Sequence, residues 1–158
     1  MMHRIYIKNE QKKEAYTPAM RSFIQAAVKE TLAYEQFEDQ CEVSVTLVDN
    51  EKIKALNSEY RNKDRETDVL SFPLLDGEYS DEDLVDGFLP LGDIVISLEK
   101  AREQAAELGH NINEEVAFLC VHSTLHLLGY DHETSPEDEA DMFARQAKIM
   151  KKFRKQEN

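Results

Sequence analysis

The pattern of apolar and polar residues along the chain predicts four β-strands. Residues 4–8 and 42–48 alternate with a period of two, which is typical of a half-buried strand. Residues 68–73 and 92–97 are short apolar stretches next to polar turns, and they predict two further strands. Because a helical pattern separates the first two strands, we expect these two strands to pair in parallel.

Apolar residues at helical spacing predict about five helices. Their predicted N-caps, in chain order, are Thr17, Asp49, Ser97, Asn111 and Ser135. The first helix is expected to run to about Glu35, and the third from Leu98 to Leu108. The last helix is expected to bury one face, made of Ala140, Phe143, Ala147 and Met150.

These elements predict a single α+β domain over residues 1–158. Its expected core is a four-stranded, mostly parallel mixed sheet packed against the helices, with the fourth helix at the centre. A chain of 158 residues with 41% hydrophobic residues is large enough for one core. The acidic stretch 76–86 is expected to be an exposed loop.

Composition limits where the protein acts and what it binds. The sequence has no apolar run of about 18 residues and no basic-then-apolar leader, so we expect neither a membrane span nor secretion. Cys41 and Cys120 are too few for a disulfide framework, and a reducing cytoplasm is the expected location. The net charge of −13 disfavours binding of nucleic acid by bulk electrostatics, so an RNA substrate requires a local basic patch or a partner.

The fourth predicted helix carries the strongest chemical signal. Residues 116–121 are almost all apolar, which indicates a helix buried in the core. His122 and His126 follow four residues apart, so both imidazoles project from one helix face. Gly129 can end the helix in a left-handed conformation, after which His132 can reach the same point. Three nitrogen donors with an open fourth position are typical of a catalytic zinc site.

Other interpretations of these histidines are open from the residues alone. A histidine on an apolar helix usually bonds a backbone carbonyl, and the pair could be two such residues. The third histidine favours a metal, because an unpaired buried nitrogen costs about 1–3 kcal/mol. Three histidines also suit nickel, iron or copper. Cys120 is expected to point away from His122, and His3 and His110 are expected to be surface residues.

The spacing H-x-x-x-H-x-x-G-x-x-H is that of metzincin proteases with one change. Those enzymes carry a glutamate as general base directly after the first histidine, and this chain has Ser123 there. A serine cannot accept a proton from a metal-bound water near neutral pH. The spacing therefore indicates a metal hydrolase but argues against an ordinary peptidase.

A second chemical signal is the basic cluster of Arg61, Lys63 and Arg65 between the second helix and the third strand. One interpretation is a solvated turn with charges of both signs. The other is that Arg61 supplies a planar guanidinium for bidentate phosphate recognition. The residues alone do not decide between them.

Two motifs together resemble the YbeY family of bacterial metal-dependent endoribonucleases. The first is L-N-x-x-Y-R-x-x-D-x-x-T-D-V-L-S-F-P over residues 56–73, and the second is the histidine stretch 122–132, ending G-Y-D-H. Residues 92–97, G-D-I-V-I-S, agree with the strand between them. The resemblance covers essentially the full length. Ser123 departs from the glycine expected there, but a small side chain should fit.

The resemblance implies cleavage of single-stranded RNA, in maturation of the small-subunit ribosomal RNA 3′ end and in ribosome quality control. It implies one zinc ion per chain at His122, His126 and His132, and a catalytic role for Arg61. The implied partners are ribosomal RNA and the ribosome or small-subunit assembly proteins, with neither DNA nor a membrane.

Three further residues are candidates on this basis. Lys63 and Arg65 are candidate RNA-binding residues beside the proposed catalytic arginine. Asp131 is a candidate general base or a group that orients a histidine, and the 2′-hydroxyl of the RNA is the alternative proton-transfer partner. The remaining alternatives are a metallopeptidase with a displaced base and a non-catalytic ribosome-assembly factor.

Overall fold

Strands and helices occur in the predicted order. The computed structural model describes residues 2–75, 78–131 and 133–156, with backbone only for 154–156. In chain order the elements are β1 (Arg4–Asn9), α1 (Pro18–Tyr34), β2 (Cys41–Val48), α2 (Asn50–Arg61), β3 (Val69–Pro73), β4 (Leu89–Ser97), α3 (Leu98–Leu108), α4 (Ile112–Leu127) and α5 (Pro136–Gln156). A short 3-10 turn, Asp81–Asp83, lies within the predicted exposed loop.

The sheet is mixed and mostly parallel, as expected. Its strand order is β1-β2-β4-β3. β1 pairs with β2 and β2 pairs with β4 in parallel, whereas β3 runs antiparallel to β4. This confirms the α+β prediction and leaves β3 as an edge strand beside α4.

β4 begins at Leu89, three residues before the predicted strand. Leu89 and Leu91 are fully buried, but Pro90 separates them. The register of β2 against β4 shifts between Glu42 and Val43, where Leu91 is the additional residue on β4. A proline followed by a bulge interrupts the alternating pattern, so the start of the strand is hidden in the sequence.

Side-chain caps start the helices at the predicted positions. The side chains of Thr17, Asp49, Ser97, Asn111 and Ser135 accept hydrogen bonds from the backbone N–H groups of Met20, Lys52, Lys100, Glu114 and Asp138. Each cap satisfies an N–H group that has no partner within its own helix, which typically stabilises the helix by about 1 kcal/mol.

α4 is the central helix of the core. Twelve of its residues are buried, and it packs against α1, α3, α5 and the sheet. The half-buried positions of α4 are Asn113, Phe118, His122 and His126. The predicted histidine face is therefore also the open face. No helix among the described residues is both long enough and apolar enough to cross a membrane.

The predicted buried face of α5 is wrong for three of its four residues. Ala140, Phe143 and Ala147 are exposed, and only Met150 is buried. The buried residues of this helix are Met142, Gln146, Ile149, Met150 and Phe153. Because Gln146 is polar and lies on the packed face, apolar spacing alone favoured the wrong side.

Candidate active site

A cleft of about 690 Å³ lies between the edge strand β3, the loop after α2 and the open face of α4. Its lining residues are Arg61, Lys63, Arg65, Thr67, Asp68, Val69, Leu70, Ser71, Pro73, His122, His126, Gly129, Tyr130, Asp131 and Glu133. The cleft thus brings together the two chemical signals of the sequence, which are about sixty residues apart along the chain.

The histidine pair on α4 has the geometry of two ligands to one ion. The Nε2 atoms of His122 and His126 lie 3.1 Å apart, with the rings edge to face and their centroids 4.6 Å apart. Two nitrogens bound to one tetrahedral zinc at about 2.0–2.1 Å are about 3.3 Å apart. The separation is close to that of two ligands of one metal ion, and it is also that of a hydrogen bond between the two rings.

The third predicted ligand, His132, lies outside the described residues. Within the ranges 2–75, 78–131 and 133–156, no group of three His, Cys, Asp or Glu side chains forms a metal site. Oδ1 of Asp131 accepts a hydrogen bond from the Glu133 N–H at 2.8 Å. Asp131 therefore shapes the loop and also lines the cleft.

The basic wall of the cleft is the loop that follows α2. Asn62 ends this helix in a left-handed conformation, with φ of 57°. The buried side chain of Asn57 donates to the Arg65 carbonyl at 3.1 Å. The backbone carbonyl of Asn57 accepts from the Lys63 N–H at 3.2 Å. One buried residue thus holds the loop, and Arg61 and Arg65 are exposed towards solvent.

The three cations of this wall lack anionic partners in the described part of the chain. There, neither Arg61, Lys63 nor Arg65 has a carboxylate within 4.0 Å. The cations that do form ion pairs include Lys8, Lys13, Lys100, Arg102, Arg145 and Lys152. In a chain of net charge −13, these three cations are available to an anionic ligand, and the carboxylates of Asp68, Asp131 and Glu133 line the same cleft.

Asp68 also lines the cleft, and it was not among the site residues predicted from the sequence. Its Oδ1 accepts from the Val69 N–H at 2.8 Å, and its Oδ2 accepts from Gln104 at 3.3 Å. These bonds tie the start of β3 to α3. The sequence signal that could have indicated this residue is an aspartate directly before a predicted strand.

A three-residue network supports the loop after α4. The Tyr130 hydroxyl donates to Oε1 of Glu35 at 2.5 Å, while Arg145 donates to Oε2 at 2.7 Å and stacks on the Tyr130 ring. Burial and the bond to Glu35 raise the pKa of Tyr130 to about 12. No sequence pattern connects residues this far apart.

Three other candidate groups are excluded from the cleft. Ser123 is fully buried, which agrees with the expectation that a small residue fits there. Cys41 and Cys120 are buried free thiols, and burial raises the pKa of each to about 12. Since thiolates rather than thiols bind metals, neither cysteine is suited to be a ligand.

His3 and His110 were expected at the surface, and both are half-buried with polar contacts away from the cleft. The Nδ1 atom of His3 accepts from the Cys41 N–H at 2.9 Å, and burial lowers its pKa. His110 lies 3.1 Å from the carboxylate of Glu115, whose pKa is raised by burial and lowered in part by His110. Polar partners at the start of α4 stabilise His110 in this position.

Comparison with known proteins identifies the family. The profile of the family Endoribonuclease YbeY matches residues 6–154. The chain belongs to the endoribonuclease YbeY family. An Endoribonuclease YbeY of Acetivibrio thermocellus is 45% identical over 161 residues, covering 98% of this chain and 99% of that protein. That of Caldanaerobacter subterraneus subsp. tengcongensis is 48% identical over 154 residues, covering 94% and 96%.

A solved structure shares the YbeY-type fold of this chain. The solution structure of a Thermotoga maritima protein is 30% identical, with a TM-score of 0.60. The match covers 94% of this chain and 87% of the other. The family resemblance predicted from the two motifs is therefore confirmed.

Proposed function

We propose that this endoribonuclease cleaves single-stranded RNA in the cleft between β3 and α4, using one zinc ion held by His122, His126 and His132. One observation carries the proposal: the histidine pair and the three unmatched cations line the same cleft. An RNA phosphate needs positive charge around it, and the cations supply that charge beside the two imidazoles.

Each cation has a proposed role. Arg61 donates two parallel hydrogen bonds to the scissile phosphate and neutralises the charge that develops on it. Lys63 and Arg65 bind neighbouring phosphates of the same strand, which fixes the RNA in the cleft. A zinc ion, when bound, supplies a Lewis acid next to the phosphate.

Asp131 is the proposed general base, and the nucleophile whose proton it accepts is either a water molecule or the 2′-hydroxyl of the RNA. Asp131 lines the cleft, and one of its oxygens is already bonded to the Glu133 N–H. Attack by the 2′-hydroxyl leaves a 2′,3′-cyclic phosphate, whereas attack by water leaves a linear phosphate, so the product end distinguishes the two.

The proposed cellular role is maturation of the small-subunit ribosomal RNA 3′ end and ribosome quality control in the cytoplasm. A net charge of −13 disfavours binding of RNA by the protein surface as a whole, so intrinsic affinity is expected to be low. We therefore propose that the ribosome or its small-subunit assembly proteins deliver the substrate.

The test is cleavage of a single-stranded RNA and of an unstructured peptide by the purified protein, with and without a chelator. His126→Ala removes one proposed ligand, and His3→Ala is the matched control because His3 lies away from the cleft. RNA cleavage abolished by the chelator and by His126→Ala, but not by His3→Ala, supports the proposal. Cleavage of the peptide instead supports a metallopeptidase. If zinc-loaded protein cuts neither substrate, the test is repeated on immature ribosomal subunits, and a negative result there supports a non-catalytic assembly factor.

A further inference from the structure

Gln146 of α5 is a buried polar residue in contact with a proposed metal ligand. Its side chain lies on the packed face of the helix, and only 2% of its surface is exposed. The amide Nε2 lies 2.8 Å from Nδ1 of His122. The other nitrogen of this imidazole, Nε2, faces His126. The two sides of the His122 ring therefore have different partners.

The proton on His122 decides whether its cleft-facing nitrogen can bind a metal. If the Gln146 amide donates to Nδ1, a neutral imidazole carries its proton on Nε2 and has no lone pair there. In that arrangement Oε1 of Gln146 is buried without a hydrogen-bond donor. The histidine is then in the wrong tautomer for a ligand.

A half-turn of the amide exchanges its oxygen and nitrogen with almost no change in shape. Oε1 then accepts a hydrogen bond from the Nδ1–H of His122. The Nε2 lone pair of His122 is thereby available on the cleft side. The amide NH2 group moves to the position that has no partner, so one polar group of Gln146 lacks a partner in either orientation. The two orientations differ in the tautomer that they give His122.

We propose that Gln146 is a positioning residue that accepts a hydrogen bond from Nδ1 of His122 and so holds this histidine in the metal-binding tautomer. The proposal rests on the proposed role of His122 as a ligand. Gln146 touches neither the RNA nor the ion. Metal-binding histidines generally donate their second N–H to such a partner, and loss of the partner typically weakens metal binding about 10–100-fold.

The first test is the tautomer of His122 in the metal-free wild-type protein, read from its side-chain ¹⁵N shifts by NMR. The His122→Ala spectrum assigns the signals. A proton on Nδ1 is expected, and a proton on Nε2 overturns the proposal. This measurement needs neither zinc nor RNA, so it decides the hydrogen bond even if the proposed function fails.

The second test is zinc affinity, measured by competition with a chelator in three variants. Gln146→Met keeps the side-chain length but accepts no bond, and it is expected to lower zinc affinity about 10–100-fold. Gln146→Glu keeps an acceptor and is expected to stay within about threefold of wild type or bind more tightly. Gln25→Met, a half-buried glutamine on α1 outside the cleft, is the matched control.

The proposal is overturned if Gln146→Met binds zinc as tightly as wild type. It is also overturned if Gln146→Met and Gln146→Glu both fold and lose the same amount of zinc affinity. Thermal unfolding of each variant separates weaker zinc binding from failure to fold. If Gln146→Met does not fold, the wild-type tautomer still gives the answer. Wild-type protein that binds zinc but cuts no RNA contradicts the proposed function while leaving this inference intact.

Discussion

Arg145 on α5 donates a hydrogen bond of 2.7 Å to Glu35 at the end of α1, although the two residues are 110 positions apart in the sequence. The Glu35 side chain is 8% exposed and forms an ion pair with this partner. Tyr130 bonds the second oxygen of the same carboxylate. The network therefore joins α1 and α5 to the loop that enters the cleft.

This network predicts a loss of stability at alkaline pH. The pKa of Tyr130 is raised to about 12, so the folded state holds the phenol proton more tightly than the unfolded state does. The stabilisation is complete below about pH 10 and is lost as pH rises towards 12. The difference in free energy of unfolding between wild type and Tyr130→Phe should therefore shrink across that range.

Urea unfolding at a series of pH values measures this difference. Tyr6→Phe, which removes an exposed phenol on β1, is the matched control. A difference between wild type and Tyr130→Phe that stays constant to pH 12 contradicts the prediction.

Arg61→Ala should lower kcat/KM for RNA cleavage about 10²–10³-fold while zinc content stays at the wild-type value. The guanidinium lines the cleft and has no anionic partner in the described structure. Arg61→Lys should recover only part of the activity, because it keeps the charge but loses the bidentate geometry. Arg21→Ala, an exposed arginine on α1, should have full activity. Undiminished cleavage by Arg61→Ala would remove this residue from the mechanism.

Asn57→Ala should loosen the basic loop without unfolding the domain. The variant loses the bond to the Arg65 carbonyl, worth about 1 kcal/mol, and leaves that carbonyl without its Asn57 donor. Amide hydrogen exchange at Lys63 and Arg65 should become faster, and RNA cleavage should fall by less than in Arg61→Ala. Ser58→Ala, an exposed neighbour on the same helix, is the control. Unchanged exchange in Asn57→Ala argues against this anchor.

Gly92→Ala should destabilise the protein by about 2–4 kcal/mol, because two penalties add. Its φ is +148°, and a Cβ there would lie 2.4 Å from the Phe72 carbonyl oxygen and 2.8 Å from Leu127. Gly87→Ala is the matched control, since φ is +83° and nothing lies within 4 Å. Strain alone should cost the control about 1 kcal/mol. Equal unfolding midpoints for the two variants would show that the close contacts do not matter.

Local chemistry in the sequence determined most of the elements and half of the site. Side-chain caps such as Thr17 and Asp49 act within four residues, so the helix starts were predictable. Likewise, the i, i+4 spacing of His122 and His126 follows from helix geometry alone. Both residues lie on one face of α4, where their Nε2 atoms are 3.1 Å apart.

Tertiary structure alone decided what lies against those residues. The face of α5 was mispredicted because Gln146 is polar, and its burial depends on a partner 24 residues away on α4. Likewise, Glu35, Tyr130 and Arg145 meet only when α1, α4 and α5 pack together. Periodicity records which side of an element is apolar, whereas a buried polar contact depends on the partner that satisfies it.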